Sequence, residues 1–210
     1  KIEELRMKLS KTYRALLRHK LNLKNRKHLT NHDFTLIASN CVGGVILHEL
    51  GLRFDTPTVN LWFESEDYIK FLENMSDYLQ YELVEIQTDY SYPVGLLKDI
   101  KIYFQHYANF QEAKAKWEER IKRIHWDNLY IMMVQREGCD DNMVARFNDL
   151  PYKRKVIFTA KSYPDCQSAF CIPDSEEETW EVMDLCRYKS RFTGRRWLDE
   201  YDYVGFLNRK

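Results

Sequence analysis

No run in this chain approaches the ~20 consecutive apolar residues that span a bilayer, and its first residues lack the continuous apolar core of a signal peptide. These absences set the expectation of a cytoplasmic protein. Regular cysteine spacing is missing too. Cys41, Cys139, Cys166, Cys171 and Cys186 form an odd, irregular set, which argues against a secreted disulfide framework and against a zinc ribbon. Cys166 and Cys171 match no common metal spacing and have no His pair nearby, so no metal site is expected. The chain also lacks internal repeats, low-complexity linkers and net charge, its 32 Lys and Arg balancing 32 Asp and Glu. With 210 residues and 44% apolar composition, it can bury a full core as one domain or one domain with a subdomain.

The balanced total hides an asymmetry. Residues 1–30 carry ten Lys or Arg against Glu3 and Glu4, leaving the remainder net acidic by the same amount. We therefore divide the chain into a basic amphipathic helical arm, 1–30, and an α/β domain, 31–210, with a C-terminal subdomain from about residue 160 as a further division. In the arm, Ile2, Leu5, Leu9, Tyr13, Leu16 and Leu17 recur at helical intervals and leave Lys8, Lys11, Arg14 and Arg18 off the apolar stripe. Such a helix suits peripheral contact with an anionic membrane. It equally suits packing on the domain through its Leu stripe, with a solvated basic face. Nucleic acid is not an expected partner, because no helix-turn-helix, zinc finger or aromatic RNA-binding signature accompanies the basic charge.

Beyond the arm, short apolar runs alternate with helical patterns, the order of an α/β fold: a three-layer arrangement in which helices flank a mostly parallel or mixed sheet. Strands are expected at Phe34–Ala38, Val59–Phe63, Glu82–Ile86, Ile100–Phe104, Leu129–Val134 and Val156–Thr159. Helices are expected at Val42–Leu50, Ser65–Leu79, Phe110–Ile124 and Asp140–Leu150, with another led by Ser175 through Leu185. Ser65 reads as an N-cap, Tyr92-Pro93-Val94-Gly95 as a turn, and Asp149-Leu150-Pro151 as a helix stop.

Ligands of open α/β sheets gather beyond the carboxyl ends of parallel strands. The polar residues there are Ser39-Asn40-Cys41, Glu64 and Asp67, Gln105-His106-Tyr107, and Gln135-Arg136-Glu137. Only parallel strands would unite these sets, and the short link from Ile86 to Ile100 allows the fourth strand to run antiparallel. Ser39, Gly43 and Gly44 stand where a strand meets a helix start, with backbone amides and a positive dipole end suited to an anionic cofactor. Arg195-Arg196-Trp197 adds guanidinium forks that match a diphosphate or nucleotide.

Three readings of the thiol stay open. Cys41 at a helix start would have a lowered pKa and act as nucleophile with His106 as base. Alternatively, Cys41 fills space beside the glycines while Ser39 and Asn40 cap the helix. In the third, Asn40 and backbone amides cradle an anion or oxyanion, His106 is the acid-base catalyst and Cys41 is a bystander. His48, one helical stretch further on, lies about 10 Å along the axis and cannot partner Cys41.

Ser39-Asn40-Cys41-Val42-Gly43-Gly44, the continuation from Leu50 to Leu61, Tyr92-Pro93-Val94-Gly95, and Ala113 to Arg120 with Trp126-Asp127-Asn128 together resemble an uncharacterised bacterial domain family of exopolysaccharide biosynthesis proteins. The resemblance runs from about Phe34 to Lys210, with the basic arm outside it. That family usually has Asn-Asn-Cys followed by an aromatic, where this chain has Ser39-Asn40-Cys41-Val42. The resemblance implies an α/β fold and a surface-polysaccharide setting, and assigns no reaction or catalytic residue.

The expected function is accordingly a transferase acting at the inner membrane face on a surface-polysaccharide precursor, free or lipid-linked. Its donor would be acyl-coenzyme A, since capsule-biosynthesis proteins look similar around an Asn-Cys motif after the first strand. A glycosyl- or phosphotransferase using a nucleotide sugar is the alternative; Asp140-Asp141-Asn142 is only a loose echo of the Asp-x-Asp metal signature. A non-catalytic scaffold that stacks sugars on Tyr90, Tyr92, Tyr103, Tyr107 or Trp126 is the third.

Overall fold

The structure, a computed structural model, describes residues 2–174, 181–190 and 192–209. The chain runs α1 (Ile2–His28), β1 (Thr35–Ala38), α2 (Val42–Leu50), α3 (Ser65–Glu73), α4 (Met75–Tyr78), β2 (Leu83–Ile86), β3 (Val94–Leu97), β4 (Ile100–Tyr103), α5 (Phe110–Ile121), β5 (Leu129–Val134), α6 (Asp141–Asp149), β6 (Lys155–Thr159), β7 (Ala169–Cys171) and α7 (Tyr203–Leu207). β1, β5, β6 and β7 form one parallel sheet in that order, while β2, β3 and β4 form a separate antiparallel sheet.

Both faces of the parallel sheet are covered, which is why its strands are apolar throughout rather than alternating. Ile37, Ile131, Met133 and Ile157 face a core completed by α3, α5, α6 and the antiparallel sheet. Leu36, Ala38, Tyr130, Met132, Val134, Val156 and Phe158 face the other, against α2 and the C-terminal residues Leu198, Phe206 and Leu207. The C-terminal stretch therefore shares a core with the first strand. α2 ends where its sequence suggests, because Gly51 takes the left-handed conformation at φ +72° and its N–H returns to His48 O.

Several elements depart from expectation. Residues 59–63 do not form a strand of either sheet. Asn60 at φ +62° interrupts the extended run, and what survives is one antiparallel bridge between Trp62 and Tyr103. The anticipated helix Ser65–Leu79 breaks at Asn74 (φ −139°, ψ +41°), leaving α3 and α4. Ser65 opens α3 as its first helical residue while Glu64 holds the N-cap position, and no side chain caps it. Val94 and Gly95, read as a turn, begin β3. β7 is too short, at three residues, to carry a periodic signal. Of the expected helix from Ser175 to Leu185, residues 175–180 lie outside the described residues. Residues 181–184 are not helical, and Val182 N–H instead donates to Gln135 O at 2.8 Å.

The arm helix docks by an unexpected face. Arg18, assigned by periodicity to the solvated side, is only 4% exposed, whereas Tyr13 and Leu16 of the apolar stripe are 53% and 57% exposed. The reason is ionic: Arg18 is enclosed by Glu49 at the end of α2 and by Asp199 near the C-terminus.

Candidate functional site

A cavity of about 590 Å³ opens at the carboxyl ends of β1 and β5, a size typical of small-molecule sites. Asn40 and Cys41 enter from the turn after β1, Arg136 and Glu137 from the turn after β5, Gln105 and His106 from beyond β4, and Asp184 and Cys186 from the C-terminal segment; Trp62 and Tyr92 form a wall. His106 arrives although β4 is antiparallel and belongs to the other sheet, contrary to the expectation that only parallel strands could unite these ends. Residues 61–63 explain it. Trp62 exchanges both backbone hydrogen bonds with Tyr103, the last residue of β4, while Phe63 N–H donates to Ser39 O at 3.1 Å just after β1. That segment ties the end of β4 to the end of β1.

Asn40 Oδ1 accepts the Val42 N–H at 3.2 Å, so the amide oxygen is spent on the α2 start and the Nδ2 donors are the end left for a ligand. Ser39 is buried and its Oγ accepts Val134 N–H at 3.1 Å, stitching β1 to β5 rather than facing the cavity. Gly43 and Gly44 are buried as well, and neither lines the cavity. Their value is close approach: a Cβ on Gly43 would stand 2.6 Å from the Ala38 Cβ. Arg195, at the exposed surface, and Arg196, half-buried, are both engaged by the chain itself, and neither lines the cavity. Arg195 donates to Asp199 O at 3.0 Å. Arg196 Nε reaches Glu49 Oε1 at 3.1 Å, its other end donates to Cys186 O, and its guanidinium lies over the Tyr188 ring. Among the described residues, the Lys or Arg that lines the cavity is Arg136 instead. Its Nε is buried, makes no hydrogen bond among the described residues, and lies 3.4 Å from Glu137 Oε1.

Glu137 combines two unusual features. Its backbone adopts φ +50°, followed by Gly138 at φ +81°, a conformation costly for a residue with a Cβ and concentrated at functional sites. The turn is held by α3, whose Ser65 N–H donates to Glu137 O at 3.2 Å and whose Ser65 Oγ donates to Arg136 O at 2.6 Å. Burial pushes the Glu137 carboxyl pKa up, against the opposing pull of Arg136.

The thiol departs from the nucleophile reading, which needed a lowered pKa. Burial first, then the negative charges of Asp184 and Glu137, raise the Cys41 pKa, outweighing the backbone hydrogen bond that lowers it. Cys41 is thereby held as a neutral thiol, its Sγ 4.0 Å from Leu61 O. Cys186, on the same cavity, is pushed up to about 12, mainly by burial.

The aromatic wall is a stacked cluster. Trp62 stacks on Tyr103 with centroids 3.8 Å apart and planes 6° from parallel, Tyr90 stacks on Tyr92 at 5.0 Å, and Tyr90 meets Trp62 edge-on. Tyr103 OH donates to Glu64, which occupies that carboxylate, and Asp67 accepts Lys101 N–H at 2.8 Å. Neither acid lines the cavity. Tyr107 is buried with its hydroxyl on Val59 O, and Trp126 is exposed away from the cavity.

Strand-end reasoning reached Arg136 and Glu137 without choosing them as catalytic. It had no signal for Asp184 or Cys186, and Trp62 was hidden inside an expected strand.

These features define an α/β protein with a ligand-sized cavity at the carboxyl ends of its parallel strands. The chain belongs to the family described as Domain of unknown function (DUF1919), which matches residues 12–208. The match takes in most of α1, which the sequence resemblance had left outside, and includes the buried Arg18. An uncharacterized protein of Haemophilus influenzae (strain ATCC 51907 / DSM 11121 / KW20 / Rd) is 42% identical over 188 residues, covering 90% of each chain.

Proposed function

We propose that the cavity is the active site of a transferase that moves an acyl group from acyl-coenzyme A to a hydroxyl of a bacterial surface-polysaccharide precursor. The observation carrying this reading is the convergence of Asn40, Cys41 and His106, from two different sheets, on one cavity. His106 takes the proton of the acceptor hydroxyl, and that oxygen attacks the thioester carbonyl. Asn40 Nδ2 donates to the developing oxyanion. Collapse breaks the C–S bond, and the departing thiolate takes the proton back from the imidazolium, giving an ester and free coenzyme A. Cys41, held neutral by its surroundings, is outside the chemistry, which favours direct transfer over an acyl-enzyme. The Trp62–Tyr92 wall offers flat apolar faces to a sugar ring, and the amides and carboxylates opposite it suit hydroxyl groups.

Thermal stabilisation of the purified protein tests the donor. A ligand at ~100 times its dissociation constant adds about 2.7 kcal/mol of stability. Acyl-coenzyme A is expected to stabilise the protein. A response to nucleotide sugars alone would replace acyl transfer with glycosyl or phosphoryl transfer, and silence from both would favour a scaffold.

A further inference from the structure

The outer face of α1 has no role in the cavity, and its composition is unusual for a surface helix. At 3.6 residues per turn, Tyr13, Leu16, Lys20, Leu23, Lys24 and Lys27 fall within an arc of about 100°. Tyr13, Leu16 and Leu23 are 53%, 57% and 42% exposed, and the three lysines are exposed with them. Arg18 and Leu29, on the opposite side of the helix axis, are buried against the body. The apolar residues are therefore not spares of the docked face. They form a second face.

Charge selects the occupant. From Leu5 to His32 the sequence holds nine Lys or Arg and no Asp or Glu. A second copy meeting this face would oppose lysine to lysine, with no carboxylate between Leu5 and His32 of either copy to pair them. An anionic occupant removes that repulsion. Nucleic acid would satisfy the lysines and leave the leucines in water, whereas a lipid surface satisfies both: side chains such as Leu16 and Leu23 enter the acyl boundary, and lysine stems snorkel so that their ammonium groups meet headgroup phosphates. No helix among the described residues is long and apolar enough to cross a membrane, so α1 would lie in the interface.

We propose that the Tyr13–Lys27 face of α1 docks the protein on an anionic lipid bilayer. This inference is independent of the reaction in the cavity. The full chain is sedimented with vesicles of phosphatidylcholine alone and with vesicles containing about one third phosphatidylglycerol. Partitioning to the anionic vesicles is expected to be at least about tenfold stronger, and to weaken steeply with added salt. The double variant Leu16→Glu/Leu23→Glu, altered only at exposed positions, is expected to keep its melting temperature and lose vesicle binding. Equal binding to both vesicles, no binding to either, or binding unchanged in the double variant each overturns the proposal. So does a dimer in analytical ultracentrifugation that the same variant abolishes without any vesicle binding, which would assign the face to a second copy.

Discussion

Arg18 of α1 and Glu49 of α2 form a buried ion pair, with Arg18 Nε donating to Glu49 Oε1 at 2.9 Å and side chains 4% and 7% exposed. Arg18 also meets Asp199 and the Gly194 carbonyl, and Arg196 supplies Glu49 with a second cation. One guanidinium thus joins the first helix, the second helix and the C-terminal segment.

Removing that cation leaves Glu49 with the Arg196 guanidinium alone and Asp199 with the Arg196 backbone N–H, both in a buried setting. Arg18→Ala is expected to cost about 3–5 kcal/mol, the range for breaking a buried ion pair from one side. Arg18→Met/Glu49→Leu should recover only part of the loss, since it removes one of the two carboxylates left behind while Asp199 and Arg196 stay in place. Urea unfolding of the three proteins checks this; a single variant within about 1 kcal/mol of the parent would mean that α1 is held by other contacts.

Gly43 sets the distance between α2 and β1. A methyl group there meets the Ala38 Cβ at 2.6 Å, too close without a shift of strand or helix, so Gly43→Ala is expected to destabilise by about 1–3 kcal/mol. Ala38→Gly in the same chain should relieve the clash, giving a favourable coupling in a double-mutant cycle. Purely additive losses would show that Gly43 matters for some reason other than this contact.

Asn40 is assigned two jobs that one substitution separates. Asn40→Asp keeps an oxygen for the Val42 N–H but has no Nδ2 donors, and it adds a negative charge where an oxyanion would form. We expect folding to be retained and acyl transfer to fall by about 10²–10³, the usual cost of an oxyanion donor. His106→Ala should also abolish transfer. Transfer at the parental rate in Asn40→Asp would remove Asn40 from the chemistry.

Much of this arrangement was legible in residue order. The apolar runs of β1, β5 and β6 and the turn signals around them located the parallel sheet, and the strand-end rule then pointed to Asn40, Cys41, Arg136 and Glu137. His106 was found by the same rule although it arrives by another route, since its placement depends on the Trp62–Tyr103 bridge. The failures share a cause. The titration of Cys41 depends on its burial and then on Asp184 and Glu137, the burial of Arg18 on Glu49 and Asp199, and the position of Asp184 on a segment anchored through Val182 to Gln135. Helix-start position and local periodicity describe one element at a time, and these groups are set by partners from distant parts of the chain.

Glu137 offers a test with a definite sign. Burial holds its carboxyl above the usual value of 4.5, so between that value and the raised one the folded state binds more protons than the unfolded chain. Stability then falls as pH rises through this window, and the contribution of Glu137 is complete only below the unfolded value. Glu137→Gln removes a charge whose burial is unfavourable, and is expected to raise the melting temperature at pH 7 relative to the parent while the difference shrinks toward pH 4. The left-handed backbone at this position is retained by both residues, so it does not contribute to the comparison. Glu137→Gly relieves that strain, separating the backbone effect from the charge effect. A Glu137→Gln variant destabilised at pH 7, with the loss shrinking toward pH 4, would mean that the Arg136 pairing, 3.4 Å away, outweighs burial and holds the carboxyl ionised.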